Sequence, residues 1–159
     1  MKILNVHKRL IQQPKAKIAE LMSTLATQND KVWPFEKWPP IRFKNGLVFG
    51  SKGGHGPIGY EVAKIEHGKS IHFHFIKPKG FVGFHRFDIS SINENQTEIK
   101  HTIDMTTNFK ASLMWLLAIH WLHDALIEDA FDKVENHFSE NKKQSKWSFW
   151  VVFLRKVLK

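Results

Sequence analysis

The chain switches between two hydrophobic rhythms. MKILNVHKRLI opens as an alternating strand in which Leu4, Val6 and Leu10 share one face. Pro14 then starts a helical stretch, PKAKIAELMSTLAT, because proline is tolerated in a first turn and Ile18, Leu21, Met22 and Leu25 fall on one stripe. VWPFEKWPP is too proline-broken for a long helix; it reads as a short helical turn or an aromatic-rich loop whose Trp33, Phe35 and Trp38 need something to cover. From Ile41 the period becomes two. Ile41, Phe43, Leu47 and Phe49 share one parity, Ile58, Tyr60 and Val62 begin the next strand, and SIHFHFI sets Ile71, Phe73 and Phe75 opposite Ser70, His72 and His74. Turns at His67-Gly68-Lys69, Pro78-Lys79-Gly80 and Asn93-Glu94-Asn95 separate these strands from FVGFHRFDI and TEIKHTIDM, which predicts an antiparallel meander.

Residues 112–138 change rhythm again. Ser112 is a candidate N-cap, no Gly or Pro occurs from there to Phe138, and Trp115, Ile119, Leu122, Leu126, Ala130 and Val134 step along one helical stripe, with His120, Asp124, Glu128 and Glu135 on a more polar side. A helix of that span is about 40 Å long. Its first half is apolar nearly all round, which predicts burial on more than one side. Strand, two short helices, a run of strands and one long helix is an α+β order, and a curved sheet of six or seven strands must wrap the long helix to bury both apolar surfaces. Residues 1–140 read as one domain and 141–159 as a separate segment.

Composition sharpens this in three places. The chain has 159 residues, 42% of them hydrophobic, with 13 Phe and 6 Trp, so it can bury a sizeable core. It has no Cys, which excludes disulfides, thiolate catalysis and Cys-ligated zinc. No secretory leader opens the sequence and no run approaches the roughly 18–20 apolar residues a spanning helix needs, so the expectation is a cytoplasmic protein. The net charge is +9, yet it is carried by the ends: residues 1–19 and 142–159 hold five and six basic residues with no acid, and the body between them is slightly acidic. A nucleic-acid binder spreads its charge over a face or groove. This distribution points instead to an anionic surface met by the termini, and no nucleic acid is expected.

One motif tests the cofactor question. Gly54-His55-Gly56-Pro57-Ile58-Gly59 matches G-x-G-x-x-G, but the chain continues as YEVAKIEH and further alternation, with no helix to meet a pyrophosphate. Gly68-Lys69-Ser70 lacks the upstream glycine of a phosphate loop, since Ala63 stands there. The glycines therefore read as hairpin residues, either a plain tip or a lip over a cavity with His55 as its polar handle. No cofactor is expected.

WPPIRF (38–43), GGHGPIGYEV (53–62), PKGFVGFHRF (78–87) and HDALIEDAFDKVE (123–135), on this element order, resemble the START-like or SRPBCC superfamily (polyketide cyclase/dehydrase and lipid transport), and within it a bacterial subgroup with no firmly assigned chemistry. The resemblance spans about residues 1–138. It implies a helix-grip fold with a hydrophobic cavity between sheet and long helix, which in superfamily members holds lipids, sterols, quinones, polyketides or plant hormones and in a minority supports cyclisation, dehydration or hydrolysis.

The residues then supply a candidate site. His85 shares parity with Phe81, Phe87 and Ile89, and His101 with Ile99, Ile103 and Met105, so both imidazoles face the apolar side as satisfied core groups or as polar contacts in a pocket. The expected ligand-binding set is His55, Trp38, Phe73, Phe75, Phe81, His85, Phe87, His101, Ile103, Met105, Leu122 and Leu126. If the protein is an enzyme, His85 or His101 is its base. His120, His123 and Asp124 have ligand-like spacing without forming H-E-x-x-H, and an i,i+4 side-chain pair explains them; no metal is expected. In the tail, Trp147, Trp150, Val151, Leu154, Val157 and Leu158 recur at helical spacing beside Lys146, Arg155, Lys156 and Lys159. Trp147, Trp150, Leu154, Arg155 and Lys156 are the candidates for an anionic membrane interface, the alternative being packing on the domain or a second subunit. The expected partner is a hydrophobic or amphipathic small molecule, bound or carried by a monomer or homodimer; an enzyme, or an interaction module working through the tail, are the two other readings.

Overall fold

The computed structural model describes residues 1–158; Lys159, one of the tail's basic residues, lies outside them. Seven strands form one antiparallel sheet: β1 (Lys2–Ile11), β2 (Arg42–Phe43), β3 (Lys52–His55), β4 (Ile58–Glu66), β5 (Ser70–Lys77), β6 (Phe81–Asn93) and β7 (Gln96–Thr107). Their spatial order is β1-β7-β6-β5-β4-β3-β2, so the meander runs outward from β7 and β1 returns to close its far edge. Between β1 and β2 lies α1 (Lys15–Met22), which buries Ile18, Leu21 and Met22. The second expected short helix is a single turn, in which the amides of Lys37 and Trp38 both donate to the Pro34 carbonyl. After β7 comes one unbroken helical rod: α2 (Phe109–Met114), a π-helical turn (Trp115–Ile119) and α3 (His120–His137). The tail forms α4 (Phe149–Val157). This is the helix-grip arrangement, with the sheet curved around the rod. Among the described residues no helix is long and apolar enough to cross a membrane.

The main core joins α1, the Val32–Trp38 turn, the inner faces of β4–β7 and α3; a smaller cluster of Ile3, Phe81, Ile103, Met105, Ala111 and Trp115 fills the end near the start of the rod. The tail is continuous with this core. Val151 and Leu154 are buried, and the Trp147 indole donates to Asp129 of α3 at 2.8 Å.

Four expectations are corrected. The rod begins earlier than Ser112: Asn108 is its cap, with its side chain accepting from the Ala111 amide at 2.9 Å. Its first half is not buried on several sides, because Leu113, Leu116, Leu117 and Trp121 are exposed while Trp115 and Ile119 turn inward. The alternation of residues 41–49 is a strand only at Arg42–Phe43; Gly46 and Gly50, both at positive φ, coil the rest into a loop that leaves Phe49 exposed. In β1 the apolar parity faces out. Leu4, Val6 and Leu10 are exposed, whereas Asn5, His7 and Arg9 face the rod. Polar residues can take the inner face there because each finds a partner on α3. Arg9 alone bonds Glu128 (2.7 Å), Asp132 (3.0 Å) and Glu135 (2.9 Å).

The G-x-G-x-x-G stretch is a hairpin. His55 pairs with Ile58 across a two-residue Gly56-Pro57 turn, and Gly54, at φ 152°, lies so close to β4 that a Cβ would stand 2.0 Å from the Ile58 carbonyl oxygen. The glycines allow backbone to approach backbone, not phosphate.

A candidate ligand cavity between sheet, helix and tail

Three parts of the chain leave a space between them. The sheet contributes His55, Ile58, Tyr60, Phe75, Phe81 and Ile103; the rod contributes Trp115, Ile119, Leu122, His123 and Leu126; Trp38, Pro39 and Pro57 form a rim that Leu154, Arg155 and Leu158 of the tail complete. The cavity measures about 360 Å³, within the range of small-molecule sites. Its walls are mostly aliphatic and aromatic. Trp115 and Ile119, the first and last residues of the π-helical turn, are four apart on one face of the rod and both line the cavity.

Of the ligand-binding residues expected from sequence, Trp38, His55, Phe75, Phe81, Ile103, Leu122 and Leu126 come together on this wall. Phe73, His85, His101 and Met105 lie behind it, buried. Phe87 lines a separate hollow of about 340 Å³ under α1, with Met22 and Ile71. His85 and His101 share a hydrogen bond, Nδ1 to Nε2 at 3.1 Å, and His85 stacks on Phe73 at 4.7 Å between ring centres. Burial holds both imidazoles well below their ordinary pKa, and neighbouring histidines add to the effect, so both are neutral at physiological pH.

The polar side chains on the cavity lining are His55, Tyr60, His123 and Arg155. His55 Nε2 lies 2.8 Å from the Tyr60 hydroxyl, and burial lowers its pKa to about 3. Arg155 is sandwiched between the indoles of Trp38 (4.3 Å) and Trp147 (4.2 Å) and donates to the Lys37 carbonyl. Beneath Arg155, Asp129 accepts from Lys37 (2.5 Å), Trp38 (2.8 Å) and Trp147 (2.8 Å), which fixes the rim to α3 and to the tail. The membrane candidates therefore divide. Trp147, Leu154 and Arg155 face inward and Trp150 and Lys156 outward.

The helix histidines meet a partner that spacing on one helix does not reveal. His7 of β1 reaches Asp124 through Nε2 (3.1 Å) and Glu128 through Nδ1 (2.8 Å), while His120 and His123 approach the same Asp124 at 3.1 and 3.5 Å. Ligand atoms of His7, His123 and Asp124 lie within 4.8 Å of one another, a grouping able to hold a metal ion. The protonation pattern fits an ion pair there. Burial alone would lower the His7 pKa, but its hydrogen bonds to Asp124 and Glu128 outweigh that and raise it; the Asp124 carboxyl, which burial would raise, is held well below its usual range by His123 and His7.

Tyr60, Trp115, Arg155 and Leu158 are cavity residues absent from the sequence-derived ligand-binding set. Tyr60 shares parity with Ile58 and Val62, and Trp115 begins the helical stripe, so both carried a signal; nothing local announces that the tail folds back to place Arg155 and Leu158 on the rim.

No protein-family model and no curated protein matches this sequence. Solved structures do match in shape. Norcoclaurine synthase from Thalictrum flavum, solved with dopamine and hydroxybenzaldehyde, superposes with a TM-score of 0.66 at 11% identity, covering 89% of this chain and 90% of its own. CalU16 from Micromonospora echinospora gives 0.59 at 11% identity, covering 99% and 91%, and a START superfamily protein from Mycobacterium smegmatis gives 0.53 at 12%, covering 84% and 95%. At such identities the likeness carries the architecture and no chemistry. The chain has the START/SRPBCC fold.

Proposed function

We propose that the protein binds a hydrophobic or amphipathic small molecule, of the size of a lipid chain, polyketide or quinone headgroup, in the cavity between sheet, rod and tail. The observation that carries this reading is a space of about 360 Å³ with mostly apolar walls and only a few polar side chains among them. A void of that volume costs on the order of 9 kcal/mol if nothing fills it, comparable to the stability of a whole domain. An apolar guest removes that cost, and His55 and Arg155 suit the orientation of a polar end. The test is displacement of a fluorescent lipophile from the purified protein. Leu122→Trp, which fills the space with an indole, is expected to weaken the probe at least tenfold while the circular dichroism stays unchanged. Equal binding by the filled variant contradicts the reading.

A second reading, an enzyme of the cyclase, dehydratase or hydrolase kind, is favoured by one feature: His55 is on the cavity wall and neutral, as a general base must be. Under it, His55→Gln abolishes turnover of the bound compound by orders of magnitude; under simple binding, the same change only alters affinity.

A further inference from the structure

The rod and the tail present large apolar side chains to solvent on adjoining surfaces. Leu113, Leu117 and Trp121 of the rod and Trp150, Phe153 and Val157 of α4 are all exposed, Leu117 and Val157 by 61% and 62%. The two groups meet where the Trp150 indole donates to the Leu117 carbonyl at 3.0 Å, and Trp150 stacks on Phe153 at 5.2 Å. The Trp121 indole is likewise satisfied by a backbone carbonyl, that of Leu116 (3.1 Å), so neither tryptophan needs water for its N–H. Contiguous exposed apolar surface on this scale marks a docking site.

Charge identifies the occupant. Residues 105–123 and 141–158 carry Lys110, Lys142, Lys143, Lys146, Arg155 and Lys156 and no Asp or Glu. Lys110, Lys146 and Lys156 pair with no acid among the described residues. By contrast, the basic residues of the N-terminal strand are engaged internally, with Asp104, Glu98, Glu128, Asp132 and Glu135. Docking two copies of this face would press like charges together with no acid to offset them, which disfavours self-association. A flat anionic apolar phase satisfies both properties at once: aliphatic and aromatic side chains enter the acyl boundary, tryptophans sit at headgroup level and lysines meet the phosphates.

We propose that this joint surface of the rod's first half and α4 docks the protein on an anionic lipid bilayer. The inner sides of the same two elements supply Trp115, Ile119, Leu154 and Leu158 to the cavity, so docking sets the cavity's helical wall and tail rim against the lipid. That the bilayer is the source of the guest rests on the cavity reading above; the docking does not.

The test is co-sedimentation of the full chain with phosphatidylcholine vesicles, with and without phosphatidylserine, alongside light scattering for oligomeric state. The unmodified protein is expected to pellet with the phosphatidylserine vesicles at low salt and to be released by added salt. Leu117→Glu with Phe153→Glu, both at exposed positions, lowers partitioning at least tenfold. Lys146→Glu with Lys156→Glu lowers it about thirtyfold on anionic vesicles and leaves the weak binding to pure phosphatidylcholine unchanged. Both double variants keep their affinity for the fluorescent lipophile in solution, which separates failure of docking from failure of the cavity. The proposal is overturned if the protein stays in the supernatant, if it binds both vesicle types equally, or if it is a dimer that Leu117→Glu with Phe153→Glu converts to monomers.

Discussion

His85 and His101 were legible as inward-facing from strand parity alone, but parity cannot tell a cavity wall from the layer behind it. Tyr60 and Phe75, from neighbouring strands, close over His85, with ring centres 4.2 and 5.5 Å away. What these imidazoles control is stability against acid. His55, His85, His101 and His123 all have pKa values lowered by burial, so in the native state they stay neutral while the unfolded chain takes up protons below about pH 6.5. Stability from these groups is complete above that pH and is lost as pH falls, by up to about 1.4 kcal/mol per pH unit for each. His7 has the opposite sign. Its raised pKa gives stability that is present below about pH 6.5 and fades as pH rises through the native value. With His72, also lowered by burial, five lowered histidines outweigh one raised, so the melting temperature should drop between about pH 7 and pH 5. His85→Gln with His101→Gln should flatten that slope, as thermal melts in matched buffers will read.

At the scale of elements, the sequence pattern located every long strand, the rod and the amphipathic tail. It erred where burial depends on what comes to lie opposite. The outward apolar parity of β1 is invisible locally because its inner partners, Asp124, Glu128, Asp132 and Glu135, lie on a helix at the far end of the chain. The apolar first half of the rod looked like a buried helix because periodicity reports apolarity and not what covers it. How the tail attaches was equally hidden. One carboxylate does much of it: Asp129, itself buried, holds Lys37, Trp38 and Trp147 together. Asp129→Ala should cost about 3 kcal/mol, since it leaves one buried and one half-buried indole N–H and an ammonium without their acceptor. Limited proteolysis should then cut between residues 138 and 148 faster than in the unmodified protein, whereas unchanged cleavage would mean that the packing of Val151 and Leu154 holds the tail without this clasp.

For the whole molecule, the element order was enough to give the helix-grip architecture, and residue patterning was enough to place seven of the cavity's residues. The cavity was implied by the family resemblance and not by residue patterning, because its volume is a by-product of packing: its rim is made by prolines and by a tail that returns across α3. These same features make the molecule two-sided, with an apolar interior on one side of rod and tail and an apolar exterior on the other. The claim on which this account most depends is that the interior takes a guest, and native mass spectrometry of the protein released gently from its expression host addresses it directly. A single lipophilic adduct per chain is expected on the unmodified protein and should be missing from Leu122→Trp. A spectrum showing only the bare chain, even after incubation with extracted lipids, or the same adduct on the filled variant, would contradict it.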